Sequence, residues 1–114
     1  MNDCIFCKIV DGSISSAKLY EDDDCLAFED LNPQAPVHAL VIPKKHLVAL
    51  SDAEETDQAL LGKLMLACVR VAKDKGLETN GYRVVTNIGR EAGQTVFHLH
   101  VHVLGGRRFQ WPPG

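Results

Sequence analysis

The stretch TVFHLHVHVLGG, from Thr95 to Gly106, places a histidine at every second position with apolar residues between them. Alternate residues of a strand point to opposite faces, so His98, His100 and His102 should share a face, about 6.5–7 Å from one to the next. The opposite face is expected to pack on the core through Leu99, Val101 and Val103. The pattern therefore predicts a strand with one buried face and three titratable rings on the other.

Three interpretations of the histidine face remain open from these residues alone. It could be a solvated strand face, although imidazole is not a favoured strand side chain. It could bind a metal ion, because neutral imidazole is a good zinc ligand, but neighbouring positions on one face need not converge on one ion. It could also be catalytic, with one neutral ring attacking a substrate and its neighbours holding and protonating it.

Length and composition limit the classes of protein that this chain can form. It has 114 residues, 46% of them hydrophobic and 24% charged, which predicts one globular domain over residues 1–114. The net charge of -3 and the lack of a basic run argue against nucleic-acid binding. The sequence has no long uncharged apolar stretch and no signal peptide, so we expect no membrane partner and a cytoplasmic protein with reduced cysteines.

The remaining patterns predict an α+β fold, an antiparallel sheet of about five strands with one long helix packed on it. The strands are expected in AKLYED, CLAFED, VHALVIP, GYRVVTN and FHLHVHVLG. Helical spacing of apolar residues runs from about Glu55 to Lys75, with Ser51 or Asp52 as a cap and Gly76 as the stop. A short helix is expected from Phe6 to Val10.

Turn residues separate these elements. The acidic pair Asp22-Asp23 favours a hairpin turn between the first two strands. The segment NPQAP breaks the chain before the third strand, which Pro43 stops. The loop NIGREAGQT, from Asn87 to Thr95, is either an ordinary glycine-containing connection or a phosphate seat, because glycine lets backbone N–H groups approach an anion closely.

Two of the four cysteines, Cys4 and Cys7, form a Cys-x-x-Cys pair. This spacing lets two thiolates hold one metal ion, whereas a redox dithiol would be expected beside a βαβ pattern that the chain lacks. The other two, Cys25 and Cys68, lie inside apolar runs and are predicted to be buried.

The motif HLHVHVL resembles the His-x-His-x-His signature of the histidine triad (HIT) superfamily. The resemblance extends over nearly the whole chain, through IFCKIVDG, AFEDLNPQAPVHALVIPKKH, GYRVVTNIGREAGQTVFHLHVHVLGGR and the terminal WPPG. These segments are similar to the histidine triad nucleotide-binding branch, the purine nucleoside phosphoramidases. The likeness is weakest in the helix from Glu55 to Lys75.

The resemblance implies a catalytic role for three histidines. His100 would attack the α-phosphorus of a nucleotide, and water would then hydrolyse the nucleotidyl-histidine. His102 would bind the phosphate and help protonate the departing amine. His38 matches a fourth histidine that supports the site and could fix ring tautomers.

The resemblance also implies a nucleotide-binding set. Asp30 would accept hydrogen bonds from the ribose hydroxyls, although aspartate by itself is more often a turn organiser. Leu31 would pack on the base, while Phe6, Phe28 and Ile42 are candidates for the base pocket or the core. The phosphate side would be formed by Asn87, Gly93, Gln94 and Thr95.

Two further features follow from the resemblance. A structural, non-catalytic zinc ion would be held by Cys4, Cys7, His46 and His98. The chain would form a two-fold homodimer with a continuous sheet, in which Trp111 reaches the partner's active site instead of fraying with the tail.

The function implied is cleavage of purine nucleoside 5′-phosphoramidates to a nucleoside monophosphate and an amine. A dinucleoside polyphosphate hydrolase of the same superfamily is the alternative enzyme. Two other classes are a nucleotide-binding interaction module with vestigial catalysis and a zinc hydrolase that uses the three triad histidines as ligands. No organic cofactor is expected.

Overall fold

The computed structural model describes residues 3–114 and confirms the α+β fold. Two α-helices are present, α1 (Ile5–Val10) and α2 (Gln58–Asp74). The strands are β1 (Lys18–Glu21), β2 (Cys25–Glu29), β3 (Val37–Pro43), β4 (Tyr82–Val85) and β5 (Val101–Gly105). They form one antiparallel sheet in the order β1-β2-β3-β5-β4, so β5 lies between β3 and β4.

The two helices cover opposite faces of the sheet. One apolar cluster joins α2 to one face of β2, β3 and β5, and it contains Leu99, Val101 and Val103 as predicted. A second, smaller cluster joins α1 to the other face, through Phe6, Ile9, Leu26, Phe28, Leu40 and Ile42. Because the triad histidines alternate with the α2-facing residues, they lie on the α1 side of the sheet.

The last strand begins later than its sequence pattern predicts. Its pairing with β3 ends at Val41 opposite Val101. Two positions further on, where backbone hydrogen bonds between the two strands would be due again, Pro43 would stand opposite Leu99. Proline has no backbone N–H to donate, so the ladder cannot continue there. The segment 98–100 therefore extends beyond the sheet, held in part by a hydrogen bond from Leu99 N–H to Leu47 O (2.6 Å).

The predicted cap of the long helix was wrong. A 3-10 turn at Leu50–Asp52 uses the Asp52 carboxylate, which accepts a hydrogen bond from Ala49 N–H (3.0 Å). A second 3-10 turn follows at Glu55–Asp57, and α2 begins only at Gln58.

Within residues 3–114, neither helix is long and apolar enough to cross a membrane.

Other local predictions are confirmed. The Asp22 carboxylate accepts hydrogen bonds from the N–H groups of Asp24 and Cys25 (2.8 Å each) and closes the β1–β2 turn. The long helix stops before Gly76, whose φ of +72° is the left-handed conformation that favours glycine after a helix. The short helix α1 begins one residue earlier than expected and ends at Val10.

Candidate active site and metal centre

A cavity of about 430 Å³ lies between α1 and the histidine-bearing face of the sheet. Its wall includes several predicted site residues: Asp30, Leu31, His38, Thr95, His100 and His102. Phe6 and Phe28 also line it, whereas Ile42 is fully buried in the core. Three histidines, His38, His100 and His102, thus meet an apolar-walled cavity. The solvated-face interpretation of the triad strand is wrong, because His98 and His100 are buried.

The ring of His100 is held in one tautomer. Its Nδ1 lies 2.7 Å from the backbone oxygen of His98, so Nδ1 carries the proton and donates it to that carbonyl. The other ring nitrogen, Nε2, is then unprotonated and keeps its lone pair. Thr86 Oγ1–H donates to the backbone oxygen of His100 (2.9 Å) and fixes the chain at this point.

A hydrogen-bond chain fixes the neighbouring ring. Gln34 N–H donates to His38 Nδ1 (3.0 Å), so the proton of His38 is on Nε2. His38 Nε2 lies 2.8 Å from His102 Nδ1 and 3.3 Å from Asp30 Oδ2. With His102 Nδ1 acting as the acceptor, its own proton is on Nε2.

Burial keeps these rings neutral. Desolvation, followed by the nearby His100 and His38 rings, lowers the pKa of His102 from its usual 6.5 to about 4. Desolvation also lowers the pKa of His38, and the Asp30 carboxylate opposes that shift. At neutral pH His102 is therefore a neutral N–H donor, and its ring lies next to that of His100, with centroids 5.1 Å apart.

Asp30 has the turn-organising role that its residue type suggests. Its Oδ1 accepts a hydrogen bond from Asn32 N–H (2.8 Å), while Oδ2 faces His38 at the cavity wall. The neighbouring Leu31 is 98% exposed at this wall. The carboxylate is therefore both a loop anchor and a group on the cavity surface.

The glycine-containing loop before the triad is built around Gln94. The buried Gln94 side chain accepts a hydrogen bond from Gly89 N–H (2.9 Å) and donates to Val48 O (2.6 Å) and Val96 O (3.1 Å). Its amide is thus used for loop structure, and among the predicted phosphate-side residues Thr95 lines the cavity. The side chains of Asn87 and Gln94 are not part of the cavity wall.

Sequence reasoning missed two residues of the site, Gln34 and Thr86. Both act through single hydrogen bonds, Gln34 through its backbone N–H and Thr86 through its hydroxyl. No pattern in NPQAP or RVVTN distinguishes these groups from ordinary loop and strand residues. Only the distance to a histidine brought from elsewhere in the chain reveals them.

The four predicted zinc ligands come together on the α1 side of the sheet. His98 Nδ1 lies 3.3 Å from Cys4 Sγ, 3.5 Å from Cys7 Sγ and 3.0 Å from His46 Nδ1. His46 Nδ1 is also 3.2 Å from Cys7 Sγ. A tetrahedral zinc site with two sulfur and two nitrogen ligands has donor atoms roughly 3.3–3.8 Å apart. The four distances lie within this range or a few tenths of an ångström below it, so the four residues fit this ion.

The orientation of His98 supports that fit. Its Nε2–H donates to Pro43 O (2.9 Å), which leaves the Nδ1 lone pair directed at the two sulfurs and His46. A second group of metal-binding residue types, Asp30, His38 and His102, also lies within reach of one ion. There the Gln34 N–H places a proton on His38 Nε2, so a hydrogen-bond chain accounts for the arrangement.

The other two cysteines are buried, as predicted. Burial raises the pKa of Cys25 to about 11 and that of Cys68 to about 12. Both are therefore neutral thiols in the cluster beneath α2.

The C-terminal tail is anchored beside the sheet. The Phe109 ring lies 5.1 Å from the Arg83 guanidinium and 4.3 Å from that of Arg107. Arg83 also donates to Gln110 O (2.9 Å). These contacts leave Trp111 81% exposed and outside the cavity of its own chain.

Fold and site together define a histidine triad protein. The HIT domain matches residues 11–109, and the chain belongs to this family. It is 59% identical over 112 residues to an uncharacterized HIT-like protein of Synechocystis sp., a match that covers 98% of this chain and 97% of the relative.

Solved structures have the same fold. A HIT family hydrolase from Legionella pneumophila superimposes with a TM-score of 0.96 at 45% identity, covering 98% of this chain and 100% of that one. A histidine triad protein from Clostridium difficile gives a TM-score of 0.92 at 46% identity and covers 96% of each chain.

Proposed function

We propose that this chain is a nucleotide hydrolase of the HIT type that cleaves purine nucleoside 5′-phosphoramidates. The observation that carries the proposal is the pair of ring nitrogens at the cavity wall. His100 Nε2 is an acceptor because Nδ1–H is bonded to His98 O, and His102 Nε2 is a donor because its Nδ1 accepts from His38. The hydrolase activity in the name of the Legionella structure supports the reaction class.

The first step forms a bond between His100 Nε2 and the α-phosphorus and breaks the bond from phosphorus to the amine. When substrate binds, the anionic phosphate favours the cationic form of His102, which takes up a proton at Nδ1 as its contact with His38 Nε2–H opens. The Nε2–H of His102 then protonates the departing amine. Water then attacks the same phosphorus and gives a proton to His102, and the bond from phosphorus to His100 Nε2 breaks to release the monophosphate. At the end of the cycle, His100 is free again and His102 has regained its proton.

The nucleotide is proposed to lie along the cavity with its phosphate at the histidines. Phe6 and Phe28 offer apolar surface for the base, with Leu31 at the exposed wall. The Asp30 carboxylate is available to ribose hydroxyls if Oδ2 exchanges its His38 contact for them. Thr95 lines the cavity and would supply a hydroxyl on the phosphate side. The resemblance adds the neighbouring loop at Asn87 and Gly93, which lies outside the cavity wall of the described residues.

Rapid mixing with adenosine 5′-phosphoramidate tests this function. Intact mass should show an adenylyl adduct, or product analysis a fast release of AMP, in the parent protein and neither in His100→Asn. Equal turnover in both proteins would contradict the assignment of His100 as the nucleophile. Binding without turnover in the parent would assign the chain to a binding module, and faster cleavage of a dinucleoside polyphosphate would assign it to the other enzyme branch.

We also propose a structural zinc ion at Cys4, Cys7, His46 and His98. Two thiolates would balance its charge, and a closed four-ligand site supplies folding energy instead of activating water. Substitution with cobalt gives a direct test, because tetrahedral cobalt bound to sulfur and nitrogen has a visible absorption spectrum. A spectrum that is the same in the parent and in Cys4→Ser would contradict the site.

A homodimer is proposed from the surfaces left open in one chain. β4 is an edge strand of the sheet, and α2 exposes Met65, Leu66 and Val69. Burying both would remove an open strand edge and an apolar patch, and the exposed Trp111 would be free to reach the partner's cavity. Sedimentation of the parent and of Leu66→Glu tests this, with a dimer expected for the first and a monomer for the second. A monomeric parent would contradict it.

A further inference from the structure

Phe6 makes a contact with the nucleophile ring that the proposed reaction does not use. Its ring lies perpendicular to that of His100, at an interplanar angle of 86° and a centroid distance of 5.2 Å. His102 contacts the same ring at 5.1 Å and 65°. The His100 imidazole is therefore flanked by two rings, and Phe6 is buried where it makes this contact.

These contacts supply a restraint that the backbone hydrogen bond lacks. The bond from His100 Nδ1–H to His98 O fixes the tautomer and one edge of the imidazole. A single bond still lets the ring plane tilt about that edge, which would turn the Nε2 lone pair away from the phosphorus. Perpendicular aromatic packing resists this tilt, because edge-to-face contacts have a preferred geometry.

The position of the Phe6 ring is itself fixed by several contacts. It lies on α1 between the candidate zinc ligands Cys4 and Cys7, and its ring also packs perpendicular to the ligand His98 (5.9 Å, 74°). On its other side it packs edge-on against Phe28 (5.5 Å, 71°). One aromatic ring thus connects the helix of the metal centre to the nucleophile.

We propose that Phe6 is a positioning residue that holds the plane of the His100 ring for in-line attack. The proposal rests on the proposed function, since it assigns Phe6 to the step in which His100 attacks. It separates Phe6 from Phe28, which lines the same cavity and touches Phe6 but has no ring contact with His100 among the described residues.

Phe6→Leu and Phe28→Leu form a matched pair for the test. Both remove an aromatic wall of the cavity, but only the first removes the ring from His100. At saturating substrate, we expect the rate of adenylyl-histidine formation in rapid mixing to fall about 10- to 100-fold in Phe6→Leu, because the reacting nitrogen is misplaced. AMP binding should also weaken, because Phe6 offers apolar surface for the base. Phe28→Leu should weaken AMP binding to a similar degree, with a much smaller fall in the rate at saturating substrate.

Nuclear magnetic resonance gives a readout that does not depend on turnover. The proton on His100 Nδ1 should give a protected signal in the parent and in Phe28→Leu, and exchange faster with water in Phe6→Leu. Equal exchange in all three proteins, or equal rate losses in the two variants, would overturn the proposal. If the parent forms no adduct, the proposed function fails, and the exchange measurement still decides whether Phe6 holds the ring.

A second variant covers the case in which Phe6→Leu does not fold. Phe6→Met keeps an apolar side chain of similar length without a planar ring, and it serves if Phe6→Leu does not fold. The same loss of rate and protection is expected in Phe6→Met, and retention of both would overturn the role of the aromatic ring.

Discussion

His38 Nε2 lies 2.8 Å from His102 Nδ1, although the two residues are 64 positions apart in the sequence. Because Gln34 N–H occupies the other nitrogen of His38, the bond has one direction, from His38 to His102. It leaves the proton of His102 on the nitrogen that faces away from His38. A histidine outside the triad motif thus decides which atom of the triad can act as a donor.

Replacing His38 tests this direction. His38→Phe removes the donor, so His102 can hold its proton on either nitrogen, and turnover of adenosine 5′-phosphoramidate should fall roughly 10- to 100-fold, less than the 10²–10⁴-fold expected for removing a general acid. His38→Gln is the matched control, because its amide N–H can stand near the position of Nε2. It should recover part of the activity. Equal losses in the two variants would contradict a hydrogen-bond role.

Removal of the proposed zinc ion should affect stability more than chemistry. The four ligands tie α1 to the segments after β3 and before β5, and none of them is the nucleophile. Chelation is expected to lower the melting temperature more strongly than it lowers activity measured at low temperature.

Calorimetry and steady-state assays with and without chelator make this comparison, with Cys25→Ala as a control that retains all four ligands. Complete loss of activity at an unchanged melting temperature would contradict a structural ion and favour a catalytic one.

Stability should decrease in mild acid because of His102. Its folded pKa of about 4 is below the usual 6.5, so the unfolded chain binds more protons between these values. The contribution of His102 to stability is present above pH 6.5 and is lost as the pH falls towards 4. The free energy of unfolding in urea, measured across this range, should fall less steeply in His102→Asn. If the free energy of unfolding depended on pH in the same way in both proteins, the lowered pKa of His102 would be contradicted.

The buried thiols should resist alkylation in the native protein. At pH 8 the pKa values of about 11 and 12 keep Cys25 and Cys68 protonated, and both are buried. Iodoacetamide followed by peptide mass analysis is expected to leave these two unmodified, and to label all four cysteines after unfolding in guanidinium. Native labelling of Cys68 as fast as in guanidinium would show that the cluster beneath α2 opens readily.

Much of the fold was predictable because its signals are local. The alternation at Leu99, Val101 and Val103 correctly assigned the core-facing side of β5, and Gly76 marked the end of α2. The four metal-binding residue types and the resemblance also predicted a cluster that the fold does bring together. Whether zinc occupies it stays a prediction.

The errors occurred where a residue's partner was not local. The β3–β5 ladder stops at Val41 opposite Val101, because Pro43 has no N–H to continue it, so β5 begins at Val101 although the alternation starts earlier. The Asp52 carboxylate is taken by a turn of its own, so it does not cap α2. The nucleotide contact of Gln94 stays a prediction, but its amide bonds the backbone of its own loop and of Val48, 46 positions away, and the sequence does not reveal these partners.

The sequence by itself therefore determined the order and type of the main elements, the core-facing side of β5 and the chemical types available for a site. Alternation, helical spacing and turn residues act over a few neighbours, and these can be recognised without knowing the fold. Only the tertiary structure decided which nitrogen of each histidine carries a proton and what holds each ring. Those properties depend on distances of about 3 Å between atoms far apart in the chain, and packing alone brings such atoms together.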